Sequence, residues 1–502
     1  MQPESVANYL EDKSLLVTGA TGFIAKLFVE KVLRIQPKVK KLYLLVRAAD
    51  HVSAKRRVET EVMQTEVFKV LEEKCQGNFP SYFWDKVCPL AGDVTFEDLG
   101  IQDDKLKETL WDEINVIVHV AANTDFNERY DTALGINTFA VKHISAFAMR
   151  CPKLKMLLHI STAYVTPDNQ GVMLEQPLSA VKALDIEAEM ALVQEKLKEL
   201  TDNKASEYTV RLSMKNLGVR RAQTFGWSNT YTFTKAMGEM LSYDLRRHLP
   251  LVILRPTIVT STWKEPFPGY IEGVRTADAF ITGYGMGHLK FATADVTTIL
   301  DLVPGDLVVN AMLTIIASSY NESSAFIYQI SSSTRNPITI GKMADEAYKY
   351  FLRNPCIGSD GRIIEVDEPY FMTTMTGFHI YMVIRNKLPL QVLRLLGVLH
   401  SSARNQYNRL NRQYEHAVRL VKANEPYTFF HGRFDDANMQ KLASSLAETD
   451  KKLIAFDTKS IDWETYLRDI HIPGIFKYGI KSDKKTKKVM EARSQVAASN
   501  YV

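Results

Sequence analysis

The 502-residue chain is 46% hydrophobic and 24% charged, the proportions of an ordinary globular protein with room for one large α/β domain and a smaller one. Its formal net charge of +4 is small, which argues against a nucleic-acid partner. The four cysteines, Cys75, Cys88, Cys151 and Cys356, show neither CxxC pairing nor metal-ligand spacing with histidines, so they read as reduced, mostly buried thiols of a cytosol-facing protein and no metal is expected.

No secretory signal or transit peptide is evident at the N-terminus. Residues 13–18 (KSLLVT) form a short apolar, β-branched run that ends at glycine, the pattern of a buried parallel strand. Residues 23–35 have helical spacing with Pro37 just beyond, and 41–46 (KLYLLV) read as a second buried strand. Later strands are predicted at 114–120, 156–160 and 251–254, with a helix over 136–149. This alternation predicts a Rossmann-like α/β fold, a doubly wound parallel sheet covered on both faces. A charged, helix-favouring stretch at 176–221 breaks the rhythm, and reads as a solvated helical excursion or as a lid over a substrate site. Beyond about residue 370 the pattern becomes helical and apolar, then polar. The expected division is 10–370 for the dinucleotide-binding domain and 371–502 for a mainly helical C-terminal domain. A lysine-rich run at 481–488 reads as a solvated end. The longest uncharged run, 369–384, is shorter than the ~20 residues that a membrane helix needs.

Where the first strand meets the first helix lies Thr18-Gly19-Ala20-Thr21-Gly22-Phe23-Ile24-Ala25. Gly19 permits a tight turn, Gly22 lets the backbone approach a pyrophosphate at the positive helix end, and Ala25 allows close helix–strand packing. An acid at the end of the second strand would select NAD by binding the ribose 2′-hydroxyl; here the strand ends in Val46-Arg47, and Arg47 suits the 2′-phosphate of NADPH. Asp93-Val94 follows another strand-like stretch, where a carboxylate can accept from the adenine amino group. Asn123 follows the next strand at the edge where ligands of open α/β sheets bind.

Tyr231 and Lys235 stand one helical turn apart in YTFTK, on one helix face. A free tyrosine titrates near pH 10, and a neighbouring ammonium can lower that value toward the range of a useful acid. Upstream, Ser161-Thr162 ends a strand with hydroxyls able to hold a carbonyl oxygen; counting toward Tyr164, which reads as a packing residue, favours Thr162 over Ser161. Downstream, the backbone of Pro256-Thr257 closes the next strand, where it could flank a nicotinamide.

By these residues the chain resembles the extended short-chain dehydrogenases. Within them, TGATGFIAK (18–26), LYLLVR (42–47), GDV (92–94), HVAANTDF (119–126), HISTAYV (159–165) and YTFTK (231–235) resemble the alcohol-forming fatty acyl-CoA reductases of plant type. PYTF (426–429) and RFDD (433–436) extend the likeness to the C-terminal region. The resemblance implies reduction of long-chain acyl-CoA to primary alcohol by NADPH, for wax, suberin or pollen-wall lipids, commonly at the cytosolic face of the endoplasmic reticulum. It implies Tyr231 as proton donor, Lys235 as its activator and ribose ligand, and Thr162 or Ser161 as the carbonyl-orienting group. Gly19, Thr21, Gly22, Phe23, Ile24, Arg47 and Asp93 would hold the cofactor. Some relatives carry an N-terminal plastid extension that this sequence lacks. Residues 371–384 and 388–399 are expected to wall an acyl channel, to rest on a membrane, or to be ordinary helical core. The same catalytic order would also serve a sterol or nucleotide-sugar dehydrogenase, a reductase that stops at the aldehyde, or a weakly catalytic binding protein.

Overall fold

The computed structural model describes residues 5–480 apart from 168–170, 179–183, 290, 319–325, 359 and 400, so the lysine-rich run at 481–488 lies outside the described residues. Seven parallel strands form the central sheet: β1 Ser14–Thr18, β2 Lys41–Val46, β3 Val87–Ala91, β4 Ile114–His119, β5 Met156–Ile160, β6 Leu251–Pro256 and β7 Ile327–Ile330. They lie in the order β7-β6-β5-β4-β1-β2-β3. Every residue of β1, β5 and β6 is buried, as required when helices cover both faces of a parallel sheet. Strand order reverses between β1 and β4, which are paired from Ser14↔Ile114 to Thr18↔His119. The carboxyl ends of these two strands therefore splay their following loops apart and leave a crevice.

The expected helix at 23–35 forms as Phe23–Ile35. The helix expected at 136–149 begins earlier, as Tyr130–Leu134, passes through a π-helical turn at Gly135–Phe139, and continues as Ala140–Met149. That turn presses against the helix Thr230–Leu245, where a Cβ on Gly238 would lie 2.3 Å from the Asn137 carbonyl oxygen. Asn137 Nδ2 donates to Thr234 Oγ1 at 3.0 Å, and Thr138 Oγ1 donates to the Thr234 carbonyl at 2.7 Å. The helix that carries Tyr231 and Lys235 is thus fixed by glycine-mediated contact and buried hydrogen bonds.

The excursion consists of two helices, Ile186–Asp202 and Glu207–Thr224. Neither of these helices contributes a residue to the crevice. Val193, Met214 and Leu217 instead pack with Phe233 and Met237 of the Thr230–Leu245 helix. Glu189, buried between them, accepts from Tyr130 Oη at 2.7 Å and pairs with Arg221.

The C-terminal residues return to the first part of the chain. Gly432–Phe434 pairs in parallel with Gly171–Met173. Tyr466, Leu467, Ile472 and Ile475 are fully buried in the same core as β1 and β2. His471 Nδ1 meets Ser261 Oγ, and its Nε2 meets Asp278 Oδ1, each at 3.0 Å. Before these returns the chain forms a helical hairpin, Met375–Met382, a π-helical turn Val383–Lys387 and Leu388–Leu399, folded against Ser401–Thr428. No helix among the described residues is long and apolar enough to cross a membrane.

Candidate active site

A cavity of about 1160 Å³ opens at the crevice and runs from the first strand–helix turn into apolar surroundings. At one end are Gly19, Thr21, Gly22, Phe23 and Ile24, with Arg47, Asp93, Val94 and Asn123 on its walls. Gly19 has φ +67°, and a Cβ there would lie 2.7 Å from the Ala121 backbone, so only glycine allows this approach of turn and β4. The helix Phe23–Ile35 starts at Gly22 with no side-chain cap, which leaves its first N–H groups and positive dipole end turned toward the cavity. Those features fit a pyrophosphate.

The Arg47 side chain lies on the cavity wall beyond the end of β2. The nearest downstream acid, Asp50, is committed elsewhere: its carboxylate accepts from Ser53 N at 2.7 Å and caps the helix His51–Val58. Arg57 is a second guanidinium on the same wall, held by Glu61 at 2.7 Å, with Nη1 donating to the Arg47 carbonyl. Sequence reasoning missed Arg57 because nothing in the local pattern marks which helical arginine returns to the strand end. Asp93 accepts from Thr95 N and Oγ1, both at 2.9 Å, while still lining the cavity.

Tyr231 and Thr162 both line the middle of the cavity wall, and Thr162 Oγ1 donates to the Pro256 carbonyl at 3.5 Å. Burial pushes the Tyr231 hydroxyl up to about 12, opposed by the Thr162 hydroxyl and the positive charge of Arg275. Lys235 is buried beneath the wall, and its Nζ donates to the Ile160 carbonyl at 2.7 Å. Burial lowers its ammonium to about 8, with the Glu239 carboxylate acting in the opposite direction. Ser161 does not line the cavity, and its buried Oγ has no partner among the described residues. Thr257 lines the cavity and donates to Asp301 Oδ1 at 2.9 Å, whereas Pro256 lies behind the wall. Arg255, one residue earlier, is fully buried and forks onto Glu239 at 2.6–3.0 Å, bracing β6 to the helix of Lys235.

Over Tyr231 lies an aromatic cluster. Phe126 stacks on Tyr231 at 5.9 Å and on Tyr427 at 5.3 Å, and Tyr164 meets the Tyr427 edge at 5.4 Å. Asn229 Nδ2 donates to Tyr427 Oη at 2.7 Å, while Asn229 Oδ1 caps the Tyr231 helix through Thr232 N at 2.9 Å. Tyr427 and Arg275, both on the cavity wall, escape a residue-by-residue reading because they arrive from distant segments. Past this cluster the cavity is apolar, lined by Ile281, Leu289, Ala292, Met343, Ala347 and Phe371.

The sheet order, the uncapped glycine turn and the Tyr231–Lys235 helix define a protein of the short-chain dehydrogenase class with a dinucleotide-binding crevice. The family profile described as male sterility protein matches residues 17–312 as an NAD-binding domain, and a second profile of the same description matches residues 385–482. The chain is 46% identical to probable fatty acyl-CoA reductase 4 of Arabidopsis thaliana and 42% identical to the alcohol-forming fatty acyl-CoA reductase of Simmondsia chinensis, each over 94% of this chain and 98% of the relative. The terminal R domain of the myxalamid PKS-NRPS pathway shares the fold, with a TM-score of 0.57 at 17% identity over 93% of this chain and 90% of that one. The chain belongs to the fatty acyl-CoA reductase family.

Proposed function

We propose that the protein reduces long-chain or very-long-chain fatty acyl-CoA to the primary alcohol by way of the aldehyde, using NADPH and releasing CoA, at the cytosolic face of the endoplasmic reticulum. The observation that carries this reading is one continuous cavity in which the Tyr231 and Thr162 hydroxyls sit between a dinucleotide cradle and an apolar chamber. The names of the relatives supply the substrate class. Arg47 beside a strand end without a free acid supports NADPH over NADH.

NADPH, when bound, supplies a hydride to the carbonyl carbon in each of two reductions. Thr162 and Tyr231 present hydroxyl donors to the carbonyl oxygen, where negative charge develops. Collapse of the first tetrahedral oxyanion breaks the C–S bond, and the thiolate leaves as CoA. In the second round Tyr231 gives its proton to the alkoxide; a hydroxyl held near 12 is fully protonated at neutral pH and is still a stronger acid than an alcohol. Lys235, one helical turn from Tyr231, holds the end of β5 through Ile160, and the positive charge of Arg275 favours the ionised Tyr231 hydroxyl. The aromatic cluster of Phe126, Tyr164 and Tyr427 excludes water from the reacting carbonyl.

The test is incubation of the purified protein with acyl-CoAs from medium to very long chain, with NADPH or NADH in parallel, and mass spectrometry of the lipid products. Primary alcohol formed with NADPH is the expected result. Aldehyde alone would remove the second reduction, and equal rates with NADH would remove the role given to Arg47.

A further inference from the structure

Among the described residues, the largest concentration of exposed apolar side chains lies on one helical segment. Ile380, Ile384, Leu388, Val392 and Leu395 recur every three or four residues and are 55–71% exposed. That spacing makes a continuous stripe along Met375–Met382, Val383–Lys387 and Leu388–Leu399. The opposite side of the first of these helices is already occupied: Phe378 and Met382 are buried with Tyr414, Val418 and Val421 of Ser401–Thr428. The hairpin is therefore apolar on two faces, only one of which the protein covers.

Its charge is one-sided as well. From residue 375 to 428 the sequence has eight lysines and arginines against two glutamates, Glu415 and Glu425, although the whole chain carries only +4. Arg385, Lys387 and Arg394 are exposed and interleaved with the stripe. Both feet of the hairpin stand in the cavity wall: Tyr370 and Phe371 precede it, and Tyr427 and Thr428 end it. A protein partner would not account for this joining of an apolar stripe to the mouth of an apolar chamber.

We propose that this hairpin docks on an anionic lipid surface, with the Ile380–Leu395 stripe in the acyl boundary and its basic residues at the headgroups, so that acyl substrate and alcohol product exchange between bilayer and cavity at its feet. The proposal rests on the acyl-chain reading of the cavity and names the surface that serves it. Apolar burial and headgroup attraction each contribute to such binding.

The test is flotation of the full chain with vesicles of phosphatidylcholine alone or with phosphatidylglycerol, beside the triple variant Leu388→Gln, Val392→Gln, Leu395→Gln. All three positions are exposed, and unchanged circular dichroism and melting temperature would show that the variant folds. Wild type is expected to float with the phosphatidylglycerol vesicles, less so at high salt, and the variant to bind at least about tenfold more weakly. Reduction of a water-soluble medium-chain acyl-CoA without vesicles should be equal in both proteins, which separates failure of docking from failure of the catalytic reading. Absence of wild-type flotation, or equal flotation of the variant, would overturn the proposal. So would a lipid-free dimer that the variant dissociates while wild type ignores vesicles, because a second copy would then cover the stripe.

Discussion

At the residue scale the two neighbouring hydroxyls have different surroundings. Thr162 lines the cavity beside Tyr231, whereas the Ser161 hydroxyl is buried away from it. Thr162→Val is expected to lower kcat/KM by roughly a hundredfold, the scale of one lost oxyanion donor, while Ser161→Ala, which removes no group lining the cavity, should leave it within about threefold. Steady-state kinetics of the two variants check this; the reverse ranking would exchange their roles. Lys235 gives a second expectation. Its ammonium, lowered to about 8 by burial, is charged below that pH and loses its proton above it. The kcat/KM profile should therefore fall through about pH 8, since it reports groups of the free enzyme. Tyr231, held near 12, stays protonated throughout and does not set that limb. Lys235→Arg, whose guanidinium stays charged, should carry its residual activity to higher pH; an unchanged limb would assign the titration elsewhere. The glycine turn, Arg47 and the Tyr231–Lys235 spacing were legible because each is local. Whether Ser161 or Thr162 faces the cavity depends on how β5 ends against β6, where Ser161 N donates to the Leu254 carbonyl at 2.8 Å, and no short pattern encodes that contact.

At the scale of elements, the apolar chamber lies between the helices Thr276–Gly285 and Ile340–Arg353 and the paired strands Phe291–Thr293 and Tyr370–Met372. Ala292, opposite Phe371 in that pair, is small and lines the chamber. Ala292→Phe is expected to shorten the accepted chain. Each methylene it excludes should cost about 0.8 kcal/mol, roughly fourfold in kcat/KM, with shorter substrates unaffected. A chain-length series measures this, and an unaltered series would place the acyl chain elsewhere. The buried strands β1, β2 and β5 were readable because a parallel sheet covered on both faces needs uninterrupted apolar runs. The four-residue β7 was not, because its only order-giving neighbour is β6, more than seventy residues earlier in the chain. The charged excursion was readable as helical but not as a buttress. Its decisive contact, Glu189 with Tyr130 and Arg221, joins three segments that only the tertiary fold brings together.

For the whole molecule, the return of the C-terminus matters most. Asp450 accepts from Val6 N at 3.1 Å, His471 bridges Ser261 and Asp278, and Tyr466 bonds Thr260 and the Ser261 carbonyl. A chain ended at residue 430 would leave these buried polar groups without partners and remove Tyr466, Ile472 and Ile475 from the main core. Such losses, at about 1–3 kcal/mol for each orphaned group, exceed the marginal stability of a typical domain when summed with the apolar area exposed. The truncated chain is expected to be insoluble or to lack a cooperative melting transition; a soluble, cooperatively folded product would show that the first part stands alone. Sequence patterning could place a change of character near residue 370, but it carries no information on which later segments re-enter the first core.

The central claim is that Tyr231 donates the proton in an alcohol-forming reduction of acyl-CoA. The most direct measurement sets wild type beside Tyr231→Phe, each verified as folded and as binding NADPH, and follows NADPH consumed and lipid formed from the same acyl-CoA. Wild type should consume two NADPH for each primary alcohol, and the variant should lose alcohol formation by roughly a hundredfold or more, the contribution of a positioned acid. Alcohol formed at an undiminished rate by Tyr231→Phe, or no NADPH consumption by wild type with any acyl-CoA, would contradict it.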